Sequence, residues 1–469
     1  MKRFILIAMT AALSGCTSLA PDHNRPELSS AAVYDPAFRP DGSVIASQLS
    51  WRDYFKDPQL KVLLAEAVEN NRDLMAATAR IAQAQAQYRI QDSQRLPAII
   101  ASGGATRSRT PIGTNGTGGG TSGPNSVTLN RYNVGVAVSS FELDFWGRVA
   151  NLSEAARAEY LATVSAQRAF YLSLIGDVAS TYLEVVETQE QIALSEATAE
   201  SRKEGLRIAK IRSDAGVTSA LDFRQAEVLL TQAEQALAGQ KLTLAQAQNR
   251  LTVLVGGKLP SDLSQSDMAE NKIFAGDLDA GLPSNLLLVR PDIVAAEERL
   301  RAARANIGAA RAAFFPSISL TGSTGFASND LGDLFSGGSF TWSFGPSINL
   351  PIFDGGARNA QLKLSKARES EAIANYDKVI QTAFREVSDA LAGRRWIGEQ
   401  VETARREVMA QERIAHIAGL RYREGVSSYL EVLDAERSLF SAQQRLLQIL
   451  RIKNQNNVSL FVALGGGFE

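Results

Sequence analysis

Few residues in this chain can carry thiol, imidazole or soft-metal chemistry: two histidines, His23 and His416, and one cysteine, Cys16, in 469 residues. A zinc cage or a Cys/His nucleophilic pair needs several such side chains within mutual reach, and these three are too scattered to supply it. No disulfide can form within one chain. A Ser/His/Asp set cannot be assembled either. His23 lies in an N-terminal extension, and His416 lies in mid-helix, where it reads as an ordinary packed or exposed residue. Gly118-Gly119-Gly120-Thr121-Ser122-Gly123 spells G-x-G-x-x-G, but a dinucleotide fingerprint must follow a strand and open a helix, and this one leads to a strand candidate. Gly256-Gly257-Lys258-Leu259 lacks the Ser or Thr and the spacing of a phosphate loop. Lys plus Arg (49) balances Asp plus Glu (50), so no basic excess draws nucleic acid. With no dense acidic motif, the residues point away from an enzyme and from any metal or dissociable cofactor.

Cys16 offers a different chemistry. Lys2-Arg3 precedes the apolar run Phe4–Met9, which is far short of the ~20 residues that span a bilayer, so residues 1–15 read as a secretory leader. Leu13-Ser14-Gly15-Cys16 resembles a bacterial lipobox. The resemblance implies cleavage before Cys16, which then carries a diacylglycerol and a further acyl chain. Thr17 stands where an Asp would mark inner-membrane retention, so the resemblance implies an outer-membrane destination. A leader with an incidental cysteine is the plainer alternative.

The elements that would position any site occur twice. Residues 214–222 return as 423–431, with Gly216 and Gly425 lying 209 residues apart. Val178 and Val387, Ala226 and Ala435, and Gly256 and Gly465 keep that offset, whereas Asp73 and Asp292, like Pro97 and Pro316, lie 219 apart. The first copy therefore carries ten extra residues between Pro97 and Gly147, where the Gly-rich stretch 113–123 falls. The expected organisation is a leader (1–15), a lipidated extension (16–57), a first repeat (58–257), an equatorial linker (258–284) and a second repeat (285–469). Each repeat reads helix, strand pair, long helix, tip and helix, with tips at 212–222 and 421–431. Residues 150–213 lack proline and place apolar residues at three- and four-residue spacing (Leu172, Ile175, Ala179, Leu183, Val186). That pattern predicts one amphipathic helix, ~100 Å long at ~1.5 Å per residue, with 357–421 as its counterpart. Shorter helices are predicted over 59–94 and 220–255. Helices this long suit a tube, or alternatively a solvated coiled-coil stalk.

Strands are predicted over 98–110, 127–145, 317–328 and 339–352, where large apolar residues alternate with small polar ones, as in Phe340-Thr341-Trp342-Ser343-Phe344. Such alternation suits a sheet with one lipid face and one watery face; a soluble four-stranded sheet is the alternative. Four strands cannot close a barrel, and an open edge is not tolerated in hydrocarbon. If the strands cross a membrane, several chains must share one barrel, and three chains would supply twelve strands.

Together the lipobox, duplication, strand pairs and long helices resemble the outer-membrane factor family, the TolC-like exit ducts of tripartite efflux pumps, in its OprM/NodT-type lipoprotein branch. The segments that carry the likeness are 141–148, Arg290-Pro291-Asp292-Ile293, 309–316, 350–356 and 463–467. The resemblance implies a mainly α protein with membrane β strands: a homotrimer forming a 12-stranded β-barrel continuous with a 12-helix periplasmic α-barrel. It also implies an equatorial belt from the N-terminal extension, residues 258–284 and the C-terminus. A periplasmic adaptor and a proton-driven inner-membrane pump of the resistance-nodulation-division type are the implied partners, together with outer-membrane lipid.

The family's gate residues map onto Leu430, as the constriction, and onto Asp434 and Arg437, as polar links between neighbouring helices, with Tyr422 as a further tether. Positions 430, 434 and 437 share a helix face at i, i+4 and i+7. The first copy has Leu221, Gln225 and Val228 at the equivalent places, and Glu187 or Glu190 is the candidate carboxylate for Arg437. Gly216, Val217, Ser219, Leu221, Gly425, Val426, Ser427 and Ser428 are the candidate adaptor-contact tips. The rival reading is a periplasmic coiled-coil adaptor lipoprotein, although adaptors of that kind carry one hairpin where this chain has two.

Overall fold

The computed structural model describes residues 18–22, 24, 44–46, 49–111, 126–260, 273–276, 278–280 and 290–466. Its helices are α1 (Trp51–Tyr54), α2 (Pro58–Asn70), α3 (Arg72–Ser93), α4 (Arg148–Asp214), α5 (Ala220–Val255), α6 (Pro291–Ala312), α7 (Ala357–Arg423) and α8 (Tyr429–Ala463). Its strands are β1 (Val44–Ile45), β2 (Ile99–Pro111), β3 (Ser126–Glu142), β4 (Leu278–Asp279), β5 (Ser317–Ser328) and β6 (Phe340–Asn349). The chain divides into two compact units, one built on residues 82–161 and 297–374 and the other on 27–81, 162–296 and 375–469.

The first unit holds an antiparallel sheet in the order β2-β3-β5-β6. Its register sorts side chains by period two. Ile99 faces Val138, Val134 faces Phe326, Phe326 faces Phe340, and Ile318 faces Ile348, all on one face. The other face is polar, with Ser319 and Ser347 hydroxyls 2.8 Å apart and those of Ser323 and Ser343 2.7 Å apart. The apolar face is uncovered: Trp342, Phe344 and Ile348 remain 72%, 66% and 70% exposed. Where the two repeats meet, Gly135 faces Gly325, and a Cβ on Gly135 would lie 2.6 Å from the Thr324 carbonyl oxygen. Only glycine permits that approach.

Two strands stop earlier than their alternation predicts. β3 ends at Glu142, before residue 145, because the chain turns so that Trp146 donates to the Pro316 carbonyl (2.8 Å) and stacks on Phe315. β6 ends at Asn349, before residue 352, because Pro351 brings no N–H to a ladder. A bidentate Arg148–Glu142 pair (2.8 and 2.5 Å) and the Ser153 hydroxyl donating to Asp92 (2.7 Å) then fix the start of α4.

The second unit is a helical core. One stretch of α4 is long and apolar enough to cross a bilayer by composition, yet more than half of it is buried inside the protein, where Ile175, Val178 and Leu183 pack with Leu60, Leu251 and Val387. Tyr54 stacks on Phe461 at 4.3 Å, and Trp51 donates to the Tyr171 hydroxyl at 2.9 Å. Asp57 caps α2 by accepting from the Gln59 and Leu60 amides, and it also takes the Tyr182 hydroxyl at 3.0 Å.

Residues 59–94 do not form one helix as their pattern predicts. Asn71 breaks the run with extended backbone. Its side chain accepts from the Leu74 amide (2.8 Å) and donates to the Leu254 carbonyl (2.8 Å), so a buried asparagine ends α2, starts α3 and ties both to α5. The resemblance did not specify how the N-terminal extension and the linker meet. They meet through a short parallel pair, Val44 beside Leu278, and through the Lys56 amide donating to the Ile273 carbonyl at 2.7 Å.

Candidate gate and docking tips

Both tips belong to the second unit, and both are built from the same backbone bonds. After α4, the Val217 amide donates to the Arg212 carbonyl (2.9 Å) and the Gly216 amide to Ser213 (3.0 Å); after α7, Val426 donates to Arg421 (2.9 Å) and Gly425 to Tyr422 (3.0 Å). This paired closure needs a left-handed residue at its centre, and Gly216 (φ 68°) and Gly425 (φ 73°) supply it. The valine that follows each glycine is turned outward, 68% exposed at Val217 and 69% at Val426. Leu221 and Leu430, one turn further on, are exposed as well.

The two turns differ in their caps. Ser219 accepts from the Leu221 amide at 3.0 Å, and the Thr218 hydroxyl donates to Asp222. Ser428 makes no side-chain cap bond, and the buried Ser427 hydroxyl has no partner among the described residues. The longer Glu431, at the place of Asp222, reaches Arg421 instead, at 3.8 Å.

Leu430, Asp434 and Arg437 lie together along a groove of about 400 Å³ between α5 and α8, and Leu221, Gln225 and Val228 line the same groove. Both repeats' gate positions thus face one space. Among the described residues, Asp434 and Arg437 link no neighbouring helix within the chain. They pair with each other on α8 at 2.5 Å, both well exposed. Glu187 is not the partner of Arg437 here; it accepts from Gln191 at 3.0 Å and sits 3.6 Å from Arg451. Tyr422 holds its place through rings and cations: Arg212 lies over it at 4.6 Å, and Tyr429 packs beside it at 4.9 Å.

Cys16 and the leader lie outside the described residues. So do most of residues 261–289 and the Gly-rich stretch 112–125.

The outer membrane efflux protein family matches the chain twice, over residues 63–257 and 282–466. The chain belongs to that family. The two matched segments of this efflux protein begin 219 residues apart and end 209 apart. The chain is 41% identical over 471 residues to the toluene efflux pump outer membrane protein TtgC of Pseudomonas putida, covering 100% of this chain and 96% of the relative. It is 38% identical to the cation efflux system protein CusC of Escherichia coli O157:H7, covering 100% and 99%. The open-state structure of the Neisseria gonorrhoeae MtrE outer membrane channel superimposes with a TM-score of 0.87 at 36% identity, covering 97% and 99%. The protein is an outer-membrane efflux channel of the TolC-like fold, mostly helical with some sheet. The adaptor alternative falls with that finding.

Sequence reasoning missed the interior of this efflux channel's tip. Tyr429 is buried against Ala209, Leu229 and Val432, and Gly205 leaves room for its hydroxyl, since a Cβ there would lie 2.9 Å from the phenol oxygen. Burial first, and then Glu436, push the Tyr429 phenol up to about 12. Arg202, 4% exposed, donates to the Leu229 carbonyl at 2.9 Å and lies over the Phe440 ring at 5.1 Å. Burial pulls the Arg202 guanidinium down and pushes the Glu436 carboxyl up, with the Arg202 charge opposing the second shift. One signal existed in the sequence: Tyr429 occupies the place of Ala220 in the other repeat, a change of volume at a matched position.

Proposed function

We propose that this channel works as a homotrimeric exit duct, each copy contributing four strands to a 12-stranded barrel and four helical strands to a 12-helix periplasmic barrel. In this reading the tips meet a periplasmic adaptor, a proton-driven inner-membrane pump of the resistance-nodulation-division type delivers the cargo, and acylated Cys16 anchors the N-terminus. The cargo is a small toxic compound; similar proteins are named for toluene and for cations, and the pump makes that choice. Leu430 narrows the resting tip, and the Asp434 and Arg437 charges hold it until the adaptor engages.

One observation carries the reading. The sheet ends in two open edges, β2 and β6, and one of its faces carries the exposed Trp342, Phe344 and Ile348. Unpaired backbone groups cannot remain in hydrocarbon, so each edge needs a strand, and the other edge of an identical copy is the nearest complement. Mass measurement of the detergent-extracted protein, with gel mobility before and after boiling, tests this. Three chains per particle and a heat-sensitive band are expected; a single chain per particle defeats the trimer.

A further inference from the structure

Arginine on a lipid-facing strand position is costly unless it lies at the headgroup level. β2 carries two. Arg107 faces Asn130 and Arg109 faces Thr128, which places both on the face of Ile99 and Val138, the apolar one. Arg109 confirms that side by donating to the Ser126 hydroxyl at 2.8 Å. Residues 107 and 109 lie eight and ten positions past Ile99, ~26 and ~33 Å along the strand at ~3.3 Å per residue. With strands tilted by ~40°, that becomes a height of ~20 and ~25 Å, the top of the ~25 Å apolar band of such a barrel.

The same rim is aromatic. Tyr132 pairs with Ser328 one row below Arg107. The β5–β6 turn folds onto this face: Phe335 meets the Phe326 ring edge-on at 5.6 Å, and Phe340 meets it at 5.9 Å. The turn is held shut by hydrogen bonds, the Ser339 hydroxyl donating to the Asp333 carbonyl at 2.5 Å and the Ala327 amide donating to the Ser339 carbonyl at 2.9 Å. Phe335 nevertheless stays 73% exposed and Leu331 63%. The closed turn thus holds a phenylalanine outward on the same face as the exposed Trp342 and Phe344.

We propose that this rim docks an anionic, multiply acylated lipid of the outer leaflet, its phosphates on Arg107 and Arg109 and its acyl chains along Phe335, Phe340 and the apolar face below. Guanidinium groups match phosphate oxygens in a two-pronged geometry, and the docking surface is continuous with the face already exposed to lipid. The turn is then an anchor beside the barrel wall, not a plug across its mouth.

The inference rests on the sheet being a barrel wall, and one experiment separates the two. The full-length protein, purified in a neutral detergent, is titrated with bis-phosphorylated hexa-acyl lipid A and with its dephosphorylated form, with complexes counted by native mass spectrometry. Tighter binding of the phosphorylated form is expected, and Arg107→Ala with Arg109→Ala should weaken it by a factor on the order of ten, the size of one lost charged hydrogen bond. Arg107→Lys with Arg109→Lys should bind at a level between the unaltered protein and the alanine variant, because the charge remains and the two-pronged geometry does not. Heat-sensitive mobility of each variant reports the assembled barrel. Assembled barrels that bind both lipids equally, or that bind unchanged without the arginines, overturn the inference alone. Failure of the unaltered protein to assemble overturns it together with the barrel reading.

Discussion

In the proposed gate, Leu430 would oppose passage by volume and the Asp434–Arg437 pair by charge. Both members of the pair are well exposed, and surface pairs of this kind contribute ~0–1 kcal/mol each, weak enough for a docking partner to redirect. Asp434→Ala with Arg437→Ala should raise single-channel conductance in planar bilayers relative to the unaltered protein, and the ratio should shrink as added salt screens the charges. Leu430→Ala should raise it by a ratio that salt leaves unchanged. Normal conductance from assembled protein in both cases would move the gate elsewhere on α8. Glu436 makes a separate prediction. Its carboxyl is raised by burial, so the folded state holds its proton to higher pH than the unfolded chain does. Below the unfolded value the group is neutral in both states and costs nothing; as pH rises through the folded value the buried charge increasingly disfavours folding. Glu436→Gln should therefore raise the melting temperature at pH 8 and leave it unchanged near pH 3. An equal gain at both values would show packing rather than charge.

The helical hairpins share one turn but not one cap. Ser219 closes the first turn of α5 with a side-chain bond, and Ser428 leaves the first turn of α8 without one. An N-cap serine is worth about 1 kcal/mol, so Ser219→Ala should speed amide hydrogen exchange in that first turn about five-fold. Ser428→Ala should change exchange at α8 very little. Equal responses would mean that the asymmetry is not energetic. The asymmetry also favours α8 as the helix whose first turn yields, since the Ser427 hydroxyl there is buried without a bond among the described residues. Gly425 is constrained by conformation, not by space: nothing lies within 4 Å of a Cβ built there, but its φ of +73° disfavours any other residue. Gly425→Trp adds bulk on the docking side and should abolish efflux while assembled barrels still form; normal drug resistance from that variant would remove the tip from the adaptor contact.

For the assembled channel, the duplication predicts how copies join. Ile99 facing Val138 in the first repeat corresponds to Ile318 facing Ile348 in the second, so Val138 matches Ile348. Gly103 matches Gly322 at the 219 offset. Val138 pairs with Gly322 across the β3–β5 junction between repeats. The equivalent junction between copies, β6 against β2, should set Ile348 opposite Gly103. Ile348→Cys with Gly103→Cys should crosslink into covalent dimers and trimers under mild oxidation. Ile348→Cys with Ser102→Cys, one residue out of register and on the opposite face, should not. The reverse result would show a slipped joint.

The repeat, its ten-residue insertion, the two Gly-Val turns and the alternating strand faces were all legible in the amino-acid order, because each is a local pattern. Period two sorts a strand's faces whatever its neighbours are, and a left-handed glycine ends a helix by backbone sterics alone. The candidate gate residues rest on likeness to a family alone, since i, i+4 and i+7 on α8 describes any helix seam. Tertiary structure decided what depends on distant partners. Asn71 breaks a helix because the Leu254 carbonyl, far along the chain, accepts from it. Asp434 takes Arg437 on its own helix, while Glu187 is taken up by Gln191 and Arg451. Arg202 becomes the buried cation of the tip because Leu229 and Phe440 arrive from two other helices, and nothing in a helix rich in charged residues marks one arginine as the buried one. A side chain's partner is set by which backbones the fold brings within a few ångströms, and that choice is made among residues that the local pattern treats as equivalent.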